Sequence, residues 1–272
     1  MVPDEVRYLY LRPAQIAKRR DECPIAYIPL GTIEWHGFHS PLGTDSLISE
    51  HFAIRCAQLG GGLAMPPLHW GDNRIEAIID AGPAREGIAE AMGWDPEGAT
   101  ASRWMREEAD QNRLYHDLLL HILNQVENYG FRVATFICGH YPLVDRAQCA
   151  ILEYNKGCRK TGKMIAWATV DFLHLNDRYR AVAGGHSSGW ETSYLLAAHP
   201  ERVDLSTLPP RGEEVLGVFG PMPPHDASAE LGEKVFQEVT EGIVKEAHKR
   251  LENPALYKKQ GYSIRVSIEP DK

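Results

Sequence analysis

The segment from Glu34 to Asp45 carries four side chains that can bind metal ions: two carboxylates and two imidazoles, at Glu34, His36, His39 and Asp45. Mixed imidazole and carboxylate donors suit zinc, manganese or ferrous iron. Glu34 and His36 are two residues apart, which places both side chains on one face of an extended chain. Asp45 returns after a turn, and its two oxygens could bridge two ions. A single histidine in such a loop is more often a surface or hydrogen-bonded residue, but four donors together favour a metal site.

A second candidate is His140, in the run Cys138-Gly139-His140-Tyr141. This run directly follows the apolar segment 131–138, so the imidazole would lie at the end of a buried strand. Taken alone, the pattern is more typical of a core histidine that is hydrogen-bonded to the backbone. The motif contributes to a metal site only in combination with the loop at 34–45.

A third candidate segment runs from Gly184 to Ser193 and contains His186 and Glu191. Ser187 and Ser188 are candidate N-caps of a following helix, and Glu191 would then lie in its first turn. Glu191 is therefore either a carboxylate that caps the helix and complements its dipole, or a metal ligand. The segment alone leaves both interpretations open.

Short apolar runs alternate with amphipathic segments along the chain, and this alternation must position the three motifs. The spacing predicts strands at 24–30, 63–67, 131–138, 164–172 and 262–268, and helices at 47–59, 102–129, 143–159, 191–198 and 230–251. Repeated strand–helix units predict an α/β fold with three α/β/α layers and a mainly parallel central sheet. In such sheets the functional loops leave the carboxyl ends of the strands, where the first two motifs lie.

One domain is expected to span residues 1–272, because no linker or internal repeat divides the chain. The stretch 71–98 is rich in Gly, Pro and Asp and predicts a long insertion with a short helix. Stretch 209–228 is similarly irregular. Long loops of this kind in compact domains are usually binding loops or lids.

The composition narrows the possible partners. A net charge of −8 argues against nucleic acid or an anionic membrane as the partner. No run approaches the ~20 apolar residues of a membrane span, and the charged N-terminus has no signal-peptide core. The 5 cysteines follow no CxxC spacing and suggest reduced thiols, hence a cytoplasmic protein.

In order and separation, the three motifs resemble those of the creatininase family. Its members share a Glu-x-His-Gly-x-His-x-Pro-x-x-x-Asp loop, a later Gly-His after a strand, and a His followed five residues on by Glu-Thr-Ser. The matching residues here are Glu34, His36, His39, Pro41 and Asp45, then Gly139 and His140, then His186, Glu191, Thr192 and Ser193. The resemblance covers roughly residues 24 to 200, and the first motif is highly specific.

The resemblance implies a site for two divalent metal ions. Glu34 and His140 would hold one ion, His36 and Glu191 the other, and Asp45 would bridge them. A water or hydroxide between the ions would be the nucleophile. The metals would be Zn, Mn or Fe.

Three further residues take roles by the same resemblance. His186 would be the general acid and base that passes a proton to the leaving nitrogen. Tyr141 would line the substrate pocket. His39 would also belong to the substrate-binding residues, and it is expected to orient the loop rather than to bind metal.

The sequence departs from the family's creatinine-hydrolysing members at positions whose side chains contact their substrate or act in catalysis. Pro142 stands where they carry a Glu, and Val182 and Ala183 replace a Trp-Asp pair. The expected substrate is therefore another small molecule, and the expected reaction is hydrolysis of a C–N bond in a cyclic amide or formamide. Alternatives are a lactone or cyclic-ketone hydrolase of sugar-like or carbocyclic substrates, a peptide-cleaving enzyme, and a non-catalytic metal-binding scaffold. Because family members commonly form rings of six, the resemblance also implies a homo-oligomer.

Overall fold

A parallel sheet of four strands lies at the centre of the computed structural model, which describes residues 5–71, 84–93, 108–157, 163–179 and 181–260. In chain order the described strands are β1 (Ile25–Leu30), β2 (Leu63–Ala64), β3 (Val133–Cys138) and β4 (Ile165–Thr169). Their spatial order is β2-β1-β3-β4. Every residue of β1, β3 and β4 is buried, as expected for a parallel sheet covered on both faces.

Helices form a layer on each face of this sheet. The described helices are α1 (Pro13–Glu22), α2 (Thr44–Gly60), α3 (Arg85–Ala91), α4 (Glu108–Asn128), α5 (Leu143–Gly157), α6 (Gly189–Ala198), α7 (Ala229–Glu252) and α8 (Pro254–Gln260). Alternate residues of β3 divide between the two layers because successive strand side chains point to opposite faces. Val133 and Ile137 pack in the core cluster with α2, α6 and α7, whereas Ala134 and Phe136 pack in the cluster with α4 and α5. The predicted three-layer α/β/α architecture is confirmed.

The predicted elements are found with shifted ends. Strand β2 is shorter than the predicted 63–67, since Pro66 and Pro67 have no N–H to donate to the sheet. Strand β4 ends at Thr169 instead of residue 172, because Asp171–Leu173 forms a 3-10 turn. Helices α1 and α8 were not predicted. The predicted strand at 262–268 and most of the predicted insertion at 71–98 lie outside the described residues, although α3 supplies its short helix.

None of the helices in the described ranges has both the length and the apolar character that crossing a membrane requires.

Acid is expected to destabilise the fold through His174. This residue packs next to Gly242 of α7, and its Nε2 lies 2.6 Å from Thr169 Oγ1 at the end of β4. Burial, and to a lesser extent the Arg250 charge, lowers the pKa of His174 to about 3. In the unfolded chain this pKa returns to about 6.5, so below that pH the unfolded state binds the extra proton. Stability from this group is therefore present above about pH 6.5 and is lost as the pH falls toward 3.

In urea unfolding, lowering the pH from 7 to 5 should cost the wild type about 2 kcal/mol more than it costs His174→Gln. The comparison removes contributions that both proteins share. Equal losses in the two proteins would show that His174 is not held neutral by the fold.

Candidate metal centre

The carboxyl edge of the sheet brings the three motifs together. Glu34 and His36 lie in the loop after β1, Asp45 in the first turn of α2, and His140 directly after β3. Glu191 lies in the first turn of α6, which Ser188 caps by accepting a hydrogen bond from the Trp190 backbone N–H. The elements around the site are packed closely: a Cβ on Gly139 would lie 2.0 Å from the Asp45 carbonyl oxygen. Only glycine allows β3 to end so near α2.

Asp45 lies at the centre of the cluster and faces two histidines with its two oxygens. Its Oδ1 is 3.2 Å from His36 Nε2, and its Oδ2 is 3.1 Å from His140 Nδ1. On one side, His140 Nδ1 is also 2.9 Å from Glu34 Oε1. On the other side, His36 Nε2 is 3.8 Å from Glu191 Oε2. Two groups with the spacing of metal ligands result, Glu34–Asp45–His140 and His36–Asp45–Glu191, and Asp45 belongs to both.

Burial and mutual charge shift the pKa values of these groups. Burial, reinforced by the Asp45 charge, raises the pKa of Glu34 to about 8, and burial raises that of Glu191 to about 7. Burial would also raise the pKa of Asp45, but His36 and His140 hold it well below its usual range. For His36, burial is outweighed by the charges of Asp45, Glu191 and Glu34, which raise its pKa to about 9. Three buried carboxylates this close together favour a bound positive charge.

His186 extends from the loop before α6 toward the same centre. Its ring lies 4.4 Å from the His36 ring, and its Nδ1 is 3.7 Å from Glu34 Oε1. Its Nε2 contacts the Trp35 carbonyl oxygen, which can only accept, so the ring proton belongs on Nε2 and Nδ1 keeps its lone pair. Glu34, His36 and His186 also form a third group with ligand spacing. The geometry therefore places the predicted acid–base residue at the cluster but does not by itself separate that role from metal binding.

The two residues predicted on the substrate side occupy different environments. His39 is buried, and its Nε2 lies 3.1 Å from Thr192 Oγ1 on α6. The role of orienting the loop and a direct substrate contact by His39 both stay predictions. Tyr141 lines a small cavity together with Glu191 and Asp171.

Asp171 is a carboxylate at this edge that the sequence motifs did not identify. It follows β4 and is buried. Its Oδ2 accepts hydrogen bonds from Trp190 Nε1 at 3.0 Å and from the Tyr194 hydroxyl at 2.9 Å. Both donors belong to α6, so Asp171 fixes the helix that presents Glu191. Its position after a predicted strand was the available signal, but the prediction ran that strand through residue 172.

Ser187 links the two histidine-bearing loops in a strained backbone conformation. Among the described residues it is the one non-glycine with positive φ, at 49°. Its backbone N–H donates to Glu191 Oε2 at 2.6 Å, and its hydroxyl donates to the His36 carbonyl oxygen at 2.6 Å. Strain of this kind, of order 1–2 kcal/mol, persists where the surrounding contacts enforce it.

Two substitutions should separate the strain at Ser187 from its hydroxyl. Ser187→Ala loses the hydrogen bond to His36 and keeps the strain, whereas Ser187→Gly loses the hydrogen bond and relieves the strain. Urea unfolding should show the Ala protein destabilised by about 1–3 kcal/mol and the Gly protein about 1 kcal/mol less so. A Gly protein that is the less stable of the two would contradict the strain.

Comparison with known proteins identifies the family. The family described as "Creatininase: Creatinine amidohydrolase" matches residues 10–77 and 111–247, which is more than half of the chain. The chain belongs to the creatininase family. It is thereby a metal-dependent hydrolase of the amidohydrolase kind, which confirms the prediction of an enzyme. The residues between the two matched ranges, 78–110, include most of the predicted insertion.

Similar proteins agree with this assignment. The creatinine amidohydrolase of Pseudomonas putida is 24% identical over 246 residues, covering 80% of this chain and 86% of the relative. A structure described as "Creatininase Mn" is 20% identical with a TM-score of 0.66, and covers 92% of this chain and 99% of that one. A putative creatinine amidohydrolase from Bacteroides fragilis is 17% identical with a TM-score of 0.59, covering 90% and 96%. At these identities the structures show the shared fold.

Proposed function

We propose that this creatininase-family protein uses two divalent metal ions to hydrolyse the C–N bond of a small molecule, a cyclic amide or a formamide. The observation that carries the proposal is the position of Asp45, whose two oxygens face His36 and His140 in two separate donor groups. One carboxylate shared between two such groups is the arrangement that bridging of two ions requires.

The donors present fit a pair of ions such as zinc or manganese. Each of the two groups combines one imidazole nitrogen with two carboxylates, the mixed set that such metals accept. Glu34 Oε2 is buried and has no hydrogen-bond partner within the described residues. His36 Nε2 is close to Asp45 Oδ1 without the geometry of a hydrogen bond, as expected for two atoms that both point at a third. Structures of similar creatininases are described as "Mn" and as "Zn-Zn type", which agrees with this choice.

When bound, the metal pair would lower the pKa of a bound water toward neutrality and polarise the substrate carbonyl. The residues of the chain would hold the metals, position the ligands and transfer the proton. Two donor groups would hold the pair: Glu34, His140 and Asp45 on one side, and His36, Glu191 and Asp45 on the other. Asp171 and Ser187 fix the elements that carry these ligands. His186 takes up a proton at Nδ1 and delivers it to the leaving nitrogen, while the Trp35 carbonyl keeps Nε2 protonated.

A lactone or cyclic ketone is the second candidate substrate class for the same site. This class is favoured by Pro142, Val182 and Ala183, because they replace residues that act on or contact creatinine in the family's creatinine-hydrolysing members. Val182 and Ala183 pack against the hydrophobic core on the side of α2, α6 and α7. The site can thus be retained while the substrate is changed.

A substrate panel distinguishes the two classes. The purified, metal-loaded protein is incubated with lactams and hydantoins, N-formyl amines and lactones of matched ring size, and the products are assayed for a free amine and for acid release. Turnover that releases an amine supports C–N hydrolysis. Acid release from lactones alone would favour the second substrate class, and no turnover of any amide by a protein that holds two ions would contradict C–N hydrolysis.

A homo-oligomer in a ring of six and a cytoplasmic location stay predictions. Light scattering of the purified protein tests the oligomeric state.

A further inference from the structure

Three phenylalanines are exposed, and the ring of each contacts either His186 or a residue next in sequence to a candidate metal ligand. The chain has 7 phenylalanines. Four are buried, at Phe52, Phe131, Phe136 and Phe236, whereas Phe38, Phe172 and Phe219 are 56%, 48% and 57% exposed. Single exposed apolar side chains are common. Their gathering around one site is the feature that requires a physical reason.

Phe219 stands beside the candidate acid–base residue. Its ring is stacked on His186, with centroids 5.6 Å apart and planes at 25°. The backbone holds it there, because His186 N–H donates to the Phe219 carbonyl at 2.7 Å and Phe219 N–H donates to the His186 carbonyl at 3.0 Å. The Phe219 ring therefore packs beside one face of the His186 imidazole.

Phe172 lies in the 3-10 turn that follows β4, directly after Asp171. Its ring meets Tyr141 edge to face at 5.2 Å, and Tyr141 directly follows the candidate ligand His140. Its backbone N–H donates to Asp171 Oδ1 at 2.7 Å. His140 and His186 both approach Glu34 Oε1, at 2.9 and 3.7 Å. Phe219 therefore contacts a residue of this centre directly, whereas Phe172 contacts Tyr141, the residue after His140. Phe38 lies farther out, edge to face with Trp35.

The described surroundings combine buried carboxylates with a partly apolar groove. Within the described ranges, no lysine or arginine forms an ion pair with Glu34, Asp45, Asp171 or Glu191. Phe219 also lines a groove of about 380 Å³, which is bordered by the apolar side chains of Val215, Val218 and Met222 and by the polar side chains of Glu213, Glu214 and His225. That space exceeds the ~150 Å³ that suffices for a benzene ring.

We propose that Phe172 and Phe219 form an apolar rim that selects substrates with a neutral ring or other apolar group next to the scissile bond. The inference rests on the proposed function and adds the substrate class to it. Apolar contacts at the rim would lower KM for such substrates, because an aromatic ring buried against two others gains both area and ring-pairing energy.

Binding of two hydroxamic acids tests the rim without requiring turnover. Hydroxamates chelate metal ions, and acetohydroxamate and benzohydroxamate differ in the ring that would reach the rim. By titration calorimetry on the metal-loaded protein, benzohydroxamate should bind the wild type about tenfold more tightly than acetohydroxamate. Phe219→Ala and Phe172→Ala should each reduce that ratio to about threefold or less, and Phe219→Leu should give an intermediate value. Leu114→Ala, which removes a side chain that is 63% exposed on α4, should leave the ratio unchanged.

The outcomes separate failure of the rim from failure of the site. A wild-type ratio near one, or a ratio that survives both alanine substitutions, would overturn the rim alone. Equal weakening of both hydroxamates would also overturn it, because the substitution would then have damaged the metal centre. Absence of binding by either hydroxamate to the wild type would overturn the proposed metal site together with the rim. Light scattering of the same variants adds one further outcome: altered assembly would make these phenylalanines a subunit contact and would overturn their role in selecting substrates.

Discussion

Replacing Asp45 by Asn is expected to remove both metal ions and to reduce hydrolysis at least about a thousandfold. The carboxylate faces His36 with Oδ1 and His140 with Oδ2, so it contributes to both donor groups at once. Asn keeps the shape but turns one of the two oxygens into an NH₂ group, which cannot bind a cation. Metal analysis after dialysis should fall from about two ions per chain toward none.

Metal-linked stability provides a second readout of the same substitution. A ligand that binds only the folded protein raises its stability, so added zinc or manganese should raise the melting temperature of the wild type. Asp45→Asn should lose this increase. The apo form of Asp45→Asn should stay folded, because the substitution removes one of several buried negative charges from a site where burial already raises the pKa of Glu34 and Glu191.

Asp171→Asn is the matched control for Asp45→Asn. Asp171 is likewise a buried carboxylate at the same edge of the sheet, but it belongs to neither of the two donor groups that share Asp45. Its oxygens accept hydrogen bonds from Trp190 Nε1, the Tyr194 hydroxyl and the Phe172 backbone N–H. The control should retain both ions. Two ions in Asp45→Asn, or none in Asp171→Asn, would contradict the assignment of Asp45 as the bridge.

The sequence was sufficient to predict where the candidate donors gather because their motifs follow strands. Glu34 and His140 each come shortly after an apolar run, and parallel strands bring their carboxyl ends to one edge. The pairing of Leu30 with Cys138 in the sheet then places the two following loops side by side. This step needed only the strand pattern and the rule for parallel sheets.

Contacts between residues distant in the sequence could not be predicted in the same way. Ser187 resembled a helix N-cap in the sequence, but Ser188 takes that position and Ser187 donates to the His36 carbonyl, 151 residues away. Trp35 similarly fixes the His186 tautomer through a carbonyl oxygen, a group that every residue type possesses. No residue pattern marks such a contact, so the proton position on His186 required coordinates.

Replacing His186 by Gln is expected to lower kcat by about 10²–10⁴-fold while both metal ions remain bound. The imidazole presents Nδ1 to the cluster as a base, and Gln has no nitrogen that accepts a proton near neutral pH. Gln can still donate to the Trp35 carbonyl and fill the space beside Phe219, so the loop should keep its place. KM should change little if His186 acts on the proton alone.

The same variant decides between the two roles that the geometry of His186 allows. His186 belongs to a third group with ligand spacing, with Glu34 and His36. If it were a ligand, His186→Gln would lose an ion, as His36→Gln is expected to do. Metal analysis of the two variants side by side therefore gives the answer: an intact metal pair with lost turnover assigns His186 to proton transfer. Loss of metal in both variants would make His186 a ligand and would require another base at the site.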